Sequence, residues 1–534
     1  MHTTTFFAAF AAALALGAPA GTAKARAGTA ADSAGSTCAT VAQPHIPGAS
    51  VQSMTEVFVP AGTDQIPGGP SIPNVPAHCE VTLFLGHPGA DDHVRVAVWL
   101  PSGGWNGRYQ GTGGGGYAAG EFDFALAPAI QQGYAAASTD AGVSANAISP
   151  AAWALKPDGS VNAPLLADFA YRSQHDMAVA AKQIVAGFYG RAASYSYWNG
   201  CSTGGRQGLM EAQRYPADYN GIVATAPAIN WADFIPAEFW PQLVMNRAKD
   251  HPSSCEFAAF TRAAVAACDR GDPVAGGLID QPGKCGFDPR SMVGRQIACN
   301  GKTLTITAAD AEVVRRIWQG PTDLDGKPLW FGLEKGAPFD GLAATTTAAD
   351  GSGVGAPFPI AQTWITYFLL QNPSFDTSAI TYPQFVRLFK QSVAEYDRII
   401  GTDDPDLGAF EAAGGKMVTW HGLADQLIFP QGTVNYYQRV QAATGGARNV
   451  DSFYRLFPAP GVQHCGGGNG PVPTDPLAAV VNWVEKGEAP ATLPAATTDA
   501  AGAAVTRNLC AYPQVARYVG HGDRNSAASY RCAR

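Results

Sequence analysis

This sequence predicts an α/β fold built on a mostly parallel sheet, and three observations lead to it. Short apolar runs of strand character recur from about residue 80, with helical stretches between several of them. One strand-to-helix junction carries Gly200-Cys201-Ser202-Thr203-Gly204, a G-x-S-x-G pattern that suits an exposed nucleophile on a tight turn. The alternation breaks over 229–403 and resumes at 417, so the sheet-forming sequence lies on either side of an insert.

Taken in order, the strand candidates are VTLFL (82–86), VRVAVWL (94–100), RYQG (108–111), YAAAST (134–139), YSYWNG (195–200), GIVATA (221–226), MVTWHG (417–422) and FYRLF (453–457). Helical patterns fill 173–189 and 204–214, and amphipathic pieces follow at 307–318 and 383–396. The expected organisation is a leader over 1–27, a first core part over 28–228, an inserted domain over 229–403 and a second core part over 404–534. Residues 28–37 read as a flexible lead-in, and the Ala/Thr/Gly-rich stretches 343–356 and 487–505 read as loops.

Composition narrows the class. Apolar residues make up 46 % of the 534, enough for a sizeable core, and a net charge of −8 makes a nucleic-acid surface a poor default. Neither C-x-x-C nor H-E-x-x-H occurs, which removes zinc fingers and zincins. Residues 6–20 are a short apolar run followed by small residues, as in a secretory leader cut near Ala23 to Ala27. No later run reaches the ~18–20 apolar residues of a membrane span. The ten cysteines all lie beyond the leader, and an even count in an exported chain predicts five disulfides. No N-x-S/T sequon other than one with Pro at x occurs, which points to a bacterial periplasmic or secreted protein.

The G-x-S-x-G turn assigns Ser202 as nucleophile. Small flanking residues let strand and helix approach closely, and the Thr203 amide at the helix start, with the positive end of the helix dipole, can hold an oxyanion. A serine needs a base and an orienting acid, which follow such a turn in the order acid, then histidine. Asp425 comes three residues after strand MVTWHG, and His464 comes after strand FYRLF and a short loop, so each falls in a loop at a strand end. His421 is a rival that comes too early, only four residues before Asp425. Asp403, Asp404 and Asp406 precede the strand. Cys201 precedes the serine and Cys465 follows the histidine. If Ser202 and His464 meet, these neighbours can span the ~5.5–6 Å that a disulfide wants, tying two distant loops together.

Cys201-Ser202, Asp425 and His464-Cys465 resemble the CS-D-HC motif of the tannase and feruloyl esterase family, which includes a bacterial hydrolase of mono(2-hydroxyethyl) terephthalate. The resemblance runs from about Cys38 to Cys532. It implies an α/β-hydrolase fold with a large lid inserted between Ser202 and Asp425, and hydrolysis of esters of aromatic carboxylic acids by the Ser202–His464–Asp425 triad. It implies the disulfides Cys38–Cys79, Cys268–Cys285 and Cys510–Cys532, with Cys201–Cys465 at the site and Cys255 with Cys299 as the remaining pair. It further implies one structural calcium on Asp269, Asp272, Val274, Gly276 and Leu278, although Gly276 stands where the family commonly has Asp. No organic cofactor is implied. A second oxyanion amide from Gly115 or Gly116 would join that of Thr203. The expected partner is a small aromatic ester, whether feruloyl, galloyl or terephthaloyl. Neither nucleic acid nor membrane is expected, and the oligomeric state is not readable.

Two competing readings remain. Gly111-Thr112-Gly113-Gly114-Gly115-Gly116 contains G-x-G-x-x-G, the fingerprint of a nicotinamide-dinucleotide oxidoreductase, but no amphipathic helix pattern follows it. A non-catalytic binding module would normally lack one triad member, and this chain keeps all three. Trp318, Trp330, Phe331, Trp364, Tyr367 and Phe368 can clamp an aromatic group or fill a core. Arg387 and Arg398 can meet an acidic substrate group or simply face solvent.

Overall fold

The computed structural model describes Cys38 and residues 41–66, 69–269, 276–348 and 353–534. The expected leader, 1–27, lies outside the described residues. The chain forms two compact units. One draws on the chain up to Thr112, on Glu121–Thr139 and on Asp176–Ser196. The other draws on Gly113–Gly120, Asp140–His175 and Tyr197–Arg534.

In the first unit the strands Ser50–Val59, His78–Gly86, Val94–Pro101, Ala135–Thr139 and Arg108–Thr112 lie side by side in that order. Only the last pairing is parallel. These antiparallel pairings are where this unit departs from the mostly parallel arrangement expected. Residues 87–93 alone join two of these strands, too few for a crossover helix, so the chain turns straight back and pairs antiparallel. Val81, Leu83 and Leu85 alternate into the core, as do Val94, Val96 and Val98. The Cys38–Cys79 disulfide fastens the N-terminal segment to the second of these strands.

The second unit has the parallel arrangement the sequence suggested. From Tyr197 onward the strand Tyr195–Cys201 pairs with Gly221–Thr225, that with Lys416–Gly422, and that with Tyr454–Ala459, all parallel. Their near-continuous apolar runs suit strands covered on both faces. The register matches Cys201 with Thr225, Thr225 with Trp420, and Gly422 with Ala459, so these strands end together. The segments leaving that edge carry Ser202, Asp425 and His464, the position where open α/β sheets bind ligands.

The insert between these strands is mainly helical, with the helices Trp231–Glu238, Trp240–Ala248, Ser254–Cys268, Ala308–Gln319 and Tyr382–Tyr396. Three of them open on reciprocal caps, Ser253 with Glu256, Thr307 with Asp310 and Thr381 with Gln384. Tyr117, Trp153, Phe169, Trp231, Trp364 and Phe368 pack ring against ring in one buried cluster. Two stretches expected to be loops contain strands. Thr345–Thr347 pairs with Gly353–Gly355, and Thr492–Thr498 pairs with Ala504–Cys510. In the second case Leu493, Ala495 and Leu509 are buried, an alternation diluted by small residues in the sequence. Among the described residues no helix is long and apolar enough to cross a membrane.

Candidate active site

Ser202 is the hinge between the strand Tyr195–Cys201 and the helix Thr203–Arg214, with φ 61° and ψ −122°. A non-glycine residue there carries strain of about 1–3 kcal/mol, so its surroundings must hold it. They do so through the backbone. The Ser202 N–H donates to Thr225 O at 3.0 Å, and the N–H groups of Arg206 and Ala228 both donate to Ser202 O at 3.0 Å. The flanking glycines are required by space. A Cβ on Gly200 would stand 2.6 Å from the Gly204 backbone, and one on Gly205 would stand 2.4 Å from Thr225 O. The serine itself is 9 % exposed.

Asp425 and His464 are brought together. Asp425 Oδ2 accepts from His464 Nδ1 at 2.8 Å, and Gln426 Oε1 accepts the His464 backbone N–H at 3.1 Å. Cys201 and Cys465 form a disulfide with Cα atoms 5.9 Å apart, so the chain neighbours of Ser202 and His464 are covalently joined. The other four bonds are Cys38–Cys79, Cys255–Cys299, Cys268–Cys285 and Cys510–Cys532, as the family pattern implies.

The glycine loop lies against the start of the helix Thr203–Arg214. Gly204 N–H donates to Gly114 O at 2.8 Å, Thr203 Oγ1 to Gly116 O at 2.7 Å, and Gly114 N–H to Gln207 Oε1 at 3.1 Å. A Cβ on Gly113 would sit 2.3 Å from Gly204 Cα, so bare backbone is needed for this approach. Thr203 is the first residue of its helix, where an amide has no intrahelical acceptor. Gly114 spends its amide on Gln207, which leaves Gly115 and Gly116 as the loop's candidate donors. The next helix after the loop begins only at Asp123, so the strand–loop–helix unit that a dinucleotide needs is not formed here.

Of the residues implied for calcium, Asp272 and Val274 lie outside the described residues. Asp269 accepts the Gly276 and Gly277 amides at 3.0 Å each. Each of its oxygens keeps a lone pair, and the described residues of the implied set are Asp269, Gly276 and Leu278. Trp364 and Phe368 are fully buried in the core cluster, which answers their sequence ambiguity in favour of packing. Trp318, Trp330, Phe331 and Tyr367 are partly exposed, and Arg387 and Arg398 are exposed on their helices.

Two side chains carry weight that the sequence reading missed. His421, set aside as a rival base, is 2 % exposed and places Nε2 3.0 Å from Asp425 Oδ2 and Nδ1 2.8 Å from Thr433 Oγ1. Both its nitrogens are spent, so it has none to offer a serine. Its spacing of four from Asp425 across a strand end was the available signal. Glu238 is 2 % exposed, at the last position of an insert helix, and nothing in the sequence marks it. Burial pushes the Asp425 carboxyl up. The charge of His464 and the hydrogen bonds from His421 and His464 outweigh burial, so the carboxyl is held far below the usual carboxylate range. Glu238 is pushed well above its ordinary value by burial first and by the Asp425 charge second.

A family model described as "Tannase and feruloyl esterase" matches residues 79–533. The chain is 48 % identical over 503 residues to a probable feruloyl esterase of Arthroderma benhamiae, covering 93 % of both chains. It is 32 % identical to the mono(2-hydroxyethyl) terephthalate hydrolase of Piscinibacter sakaiensis, covering 90 % of this chain and 88 % of that one. Among solved structures it is similar to a tannin acyl hydrolase from Aspergillus niger, at 26 % identity, TM-score 0.83 and 92 % coverage of each chain. The relative at 48 % identity is fungal, so the expected bacterial origin has no support from it.

Proposed function

The chain belongs to the tannase and feruloyl esterase family and is a carboxylic ester hydrolase of the α/β-hydrolase fold, and from that premise we propose that it cleaves esters of aromatic carboxylic acids through an acyl-enzyme on Ser202. The observation that carries this is the pairing of Asp425 with His464 at 2.8 Å while the disulfide Cys201–Cys465 joins the histidine's neighbour to the serine's.

Ser202 Oγ attacks the ester carbonyl carbon as His464 takes its proton at Nε2. Asp425 holds the proton on Nδ1 and stabilises the imidazolium. The amides of Thr203 and of Gly115 or Gly116 receive the negative oxygen of the tetrahedral intermediate. Its collapse breaks the carbon–oxygen bond to the alcohol, which leaves with the proton from His464. Water then attacks the acyl-enzyme with His464 again as base, releasing the acid and restoring Ser202.

The insert 229–403 acts in this proposal as the lid that selects the acyl group. A hydroxycinnamoyl ester of the feruloyl type is the favoured substrate, on the strength of the 48 % identical relative. Galloyl and terephthaloyl esters are the other candidates. Five disulfides and the 6–20 run support secretion. Calcium, where bound, would be held by Asp269, Asp272, Val274, Gly276 and Leu278 and would brace the loop clipped by Cys268–Cys285, with no part in the chemistry.

The test is a panel of methyl ferulate, methyl gallate, mono(2-hydroxyethyl) terephthalate and a short aliphatic ester, scored by released acid. Methyl ferulate should be hydrolysed fastest, and Ser202→Ala should lower kcat by roughly 10⁴–10⁶-fold on every active ester. Preference for the aliphatic ester would refute the aromatic assignment. Retention of more than about a tenth of the rate by Ser202→Ala would refute the nucleophile.

A further inference from the structure

Asp425 is 1 % exposed and receives four N–H groups. Its Oδ1 accepts the amides of Leu427 at 2.8 Å and Ile428 at 2.9 Å. Its Oδ2 accepts from two imidazoles, His464 Nδ1 at 2.8 Å and His421 Nε2 at 3.0 Å. An ionised carboxylate can only accept, and it has about four lone-pair sites, so this set fills it. The requirement runs back to His421: Nε2 must carry a proton, and in the neutral ring Nδ1 then accepts from the Thr433 hydroxyl at 2.8 Å. Thr433 stands on the helix Pro430–Ala443, and its hydroxyl, able to donate, matches the tautomer that Asp425 imposes.

Resting on the triad reading above, we propose that His421 is a positioning residue for the reaction: by donating Nε2–H to Oδ2 of Asp425 it fixes the carboxylate plane that orients His464. The two amides grip Oδ1 and leave Oδ2 to be held by the imidazoles alone. The Nε2–H of His421 fills one acceptor direction of Oδ2 and leaves the other, which His464 takes. A displacement of about 1 Å in the orienting acid would pass to the imidazole and from there to the serine, where misplacement of that size costs on the order of 10²-fold.

The test compares His421→Phe, His421→Gln and Thr433→Val with wild type, with Ser202→Ala and His464→Ala as references. The readouts are kcat, KM, thermal melting and the downfield imidazole proton in ¹H NMR, assigned to His464 by its loss in His464→Ala. His421→Phe keeps the bulk and removes the donor, and it should lower kcat by about 10- to 100-fold with KM within about twofold. His421→Gln puts an amide N–H near the place of Nε2 and should bring kcat back to within about fivefold of wild type. The His464 proton should shift in His421→Phe and return towards its wild-type position in His421→Gln. Wild-type kcat in His421→Phe overturns the inference. So does a His421→Gln variant that melts like wild type yet is as slow as His421→Phe. If His421→Phe does not fold, Thr433→Val carries the test: kcat should fall by about three- to tenfold at constant KM, and an unchanged kcat overturns the inference. An active Ser202→Ala would instead sink the triad reading itself and this inference with it. An inactive Ser202→Ala beside a fully active His421→Phe would sink only the role of His421.

Discussion

Asp425, in the loop that follows one sheet strand, and Glu238, at the end of the first insert helix, are both almost wholly buried, yet their surroundings drive them in opposite directions. Asp425 sits where a strand has just ended and the backbone amides of Leu427 and Ile428 are unspent, and two imidazoles complete its shell. Glu238 ends the helix Trp231–Glu238, and burial, then the charge of Asp425, work against its ionised form. Its Oε2 has no hydrogen-bond partner among the described residues. Burial is common to both, so the difference comes from the charge of His464 and the imidazole donors that reach Asp425, while Glu238 meets only the Asp425 charge. An ionised carboxylate can orient a histidine, and burial and the Asp425 charge both work against that state at Glu238.

Breaking the comparison at Asp425 should have the largest effect. Asp425→Asn keeps the shape but loses the charge and presents N–H groups to donors, so kcat should fall by about 10⁴-fold. Glu238→Gln replaces an already neutral acid by its neutral isostere, and kcat should stay within about threefold of wild type. Kinetics of the two variants on the same ester check both halves. Comparable losses in the two would mean that Glu238 takes part in the chemistry.

The disulfide beside the site comes next. Removing Cys201–Cys465 by a double Ala substitution should lower stability, by at most about 5–6 kcal/mol in the chain-entropy picture, and with it the melting temperature. It should also lower kcat by on the order of 10²-fold, because the serine and histidine loops lose their common tie. The same change at Cys510 and Cys532 should affect melting with little loss of kcat. Equal kcat losses, measured well below both melting temperatures, would make the site bond a generic staple.

Asp233 sharpens the comparison with a smaller effect. It lies on the same helix as Glu238, and burial, then the charges of Asp397 and Asp403, push it up to about 7. Below about pH 4 both the folded and unfolded chains hold this proton. As pH rises from about 4 to 7 the unfolded chain releases it and the folded chain keeps it, so its contribution makes stability fall with pH across that window and level off above it. Asp233→Asn should remove that contribution and melt a few degrees above wild type at pH 8, with no difference near pH 4. Parallel melting curves of the two proteins at both pH values check this, and an unchanged difference between pH 4 and pH 8 would contradict it.

The parts of the fold legible in the sequence were those fixed by local pattern. The run YSYWNGCSTGG encodes strand, turn and helix in consecutive residues, and each glycine there answers to a contact seen in space. The parallel strands near Ser202, Asp425 and His464 were readable because buried strands are nearly all apolar. Of the antiparallel strands of the first unit, those at 78–86, 94–101 and 135–139 are legible in place but not in direction, since orientation depends on connection length, and Ser50–Val59 is missed. The strands around Leu493 and Leu509 were missed because Ala and Thr mask their alternation. In the site, the Asp425–His464 pairing followed from the order of strands and loops. The contact between His421 and Asp425 depends on a side-chain direction at a strand end and on Thr433 from a later helix. Glu238 was invisible because a glutamate ending a short helix ordinarily faces water.

The central claim is that Ser202 is the covalent centre and that the Asp425–His464 pair activates it. Labelling with a fluorophosphonate ester, followed by peptide mapping and timed in wild type, Ser202→Ala and Asp425→Asn, tests it most directly. The expected result is a single adduct on Ser202, absent from Ser202→Ala and formed at least about 10²-fold more slowly in Asp425→Asn. An adduct on another residue, or undiminished labelling of Asp425→Asn, would contradict the account.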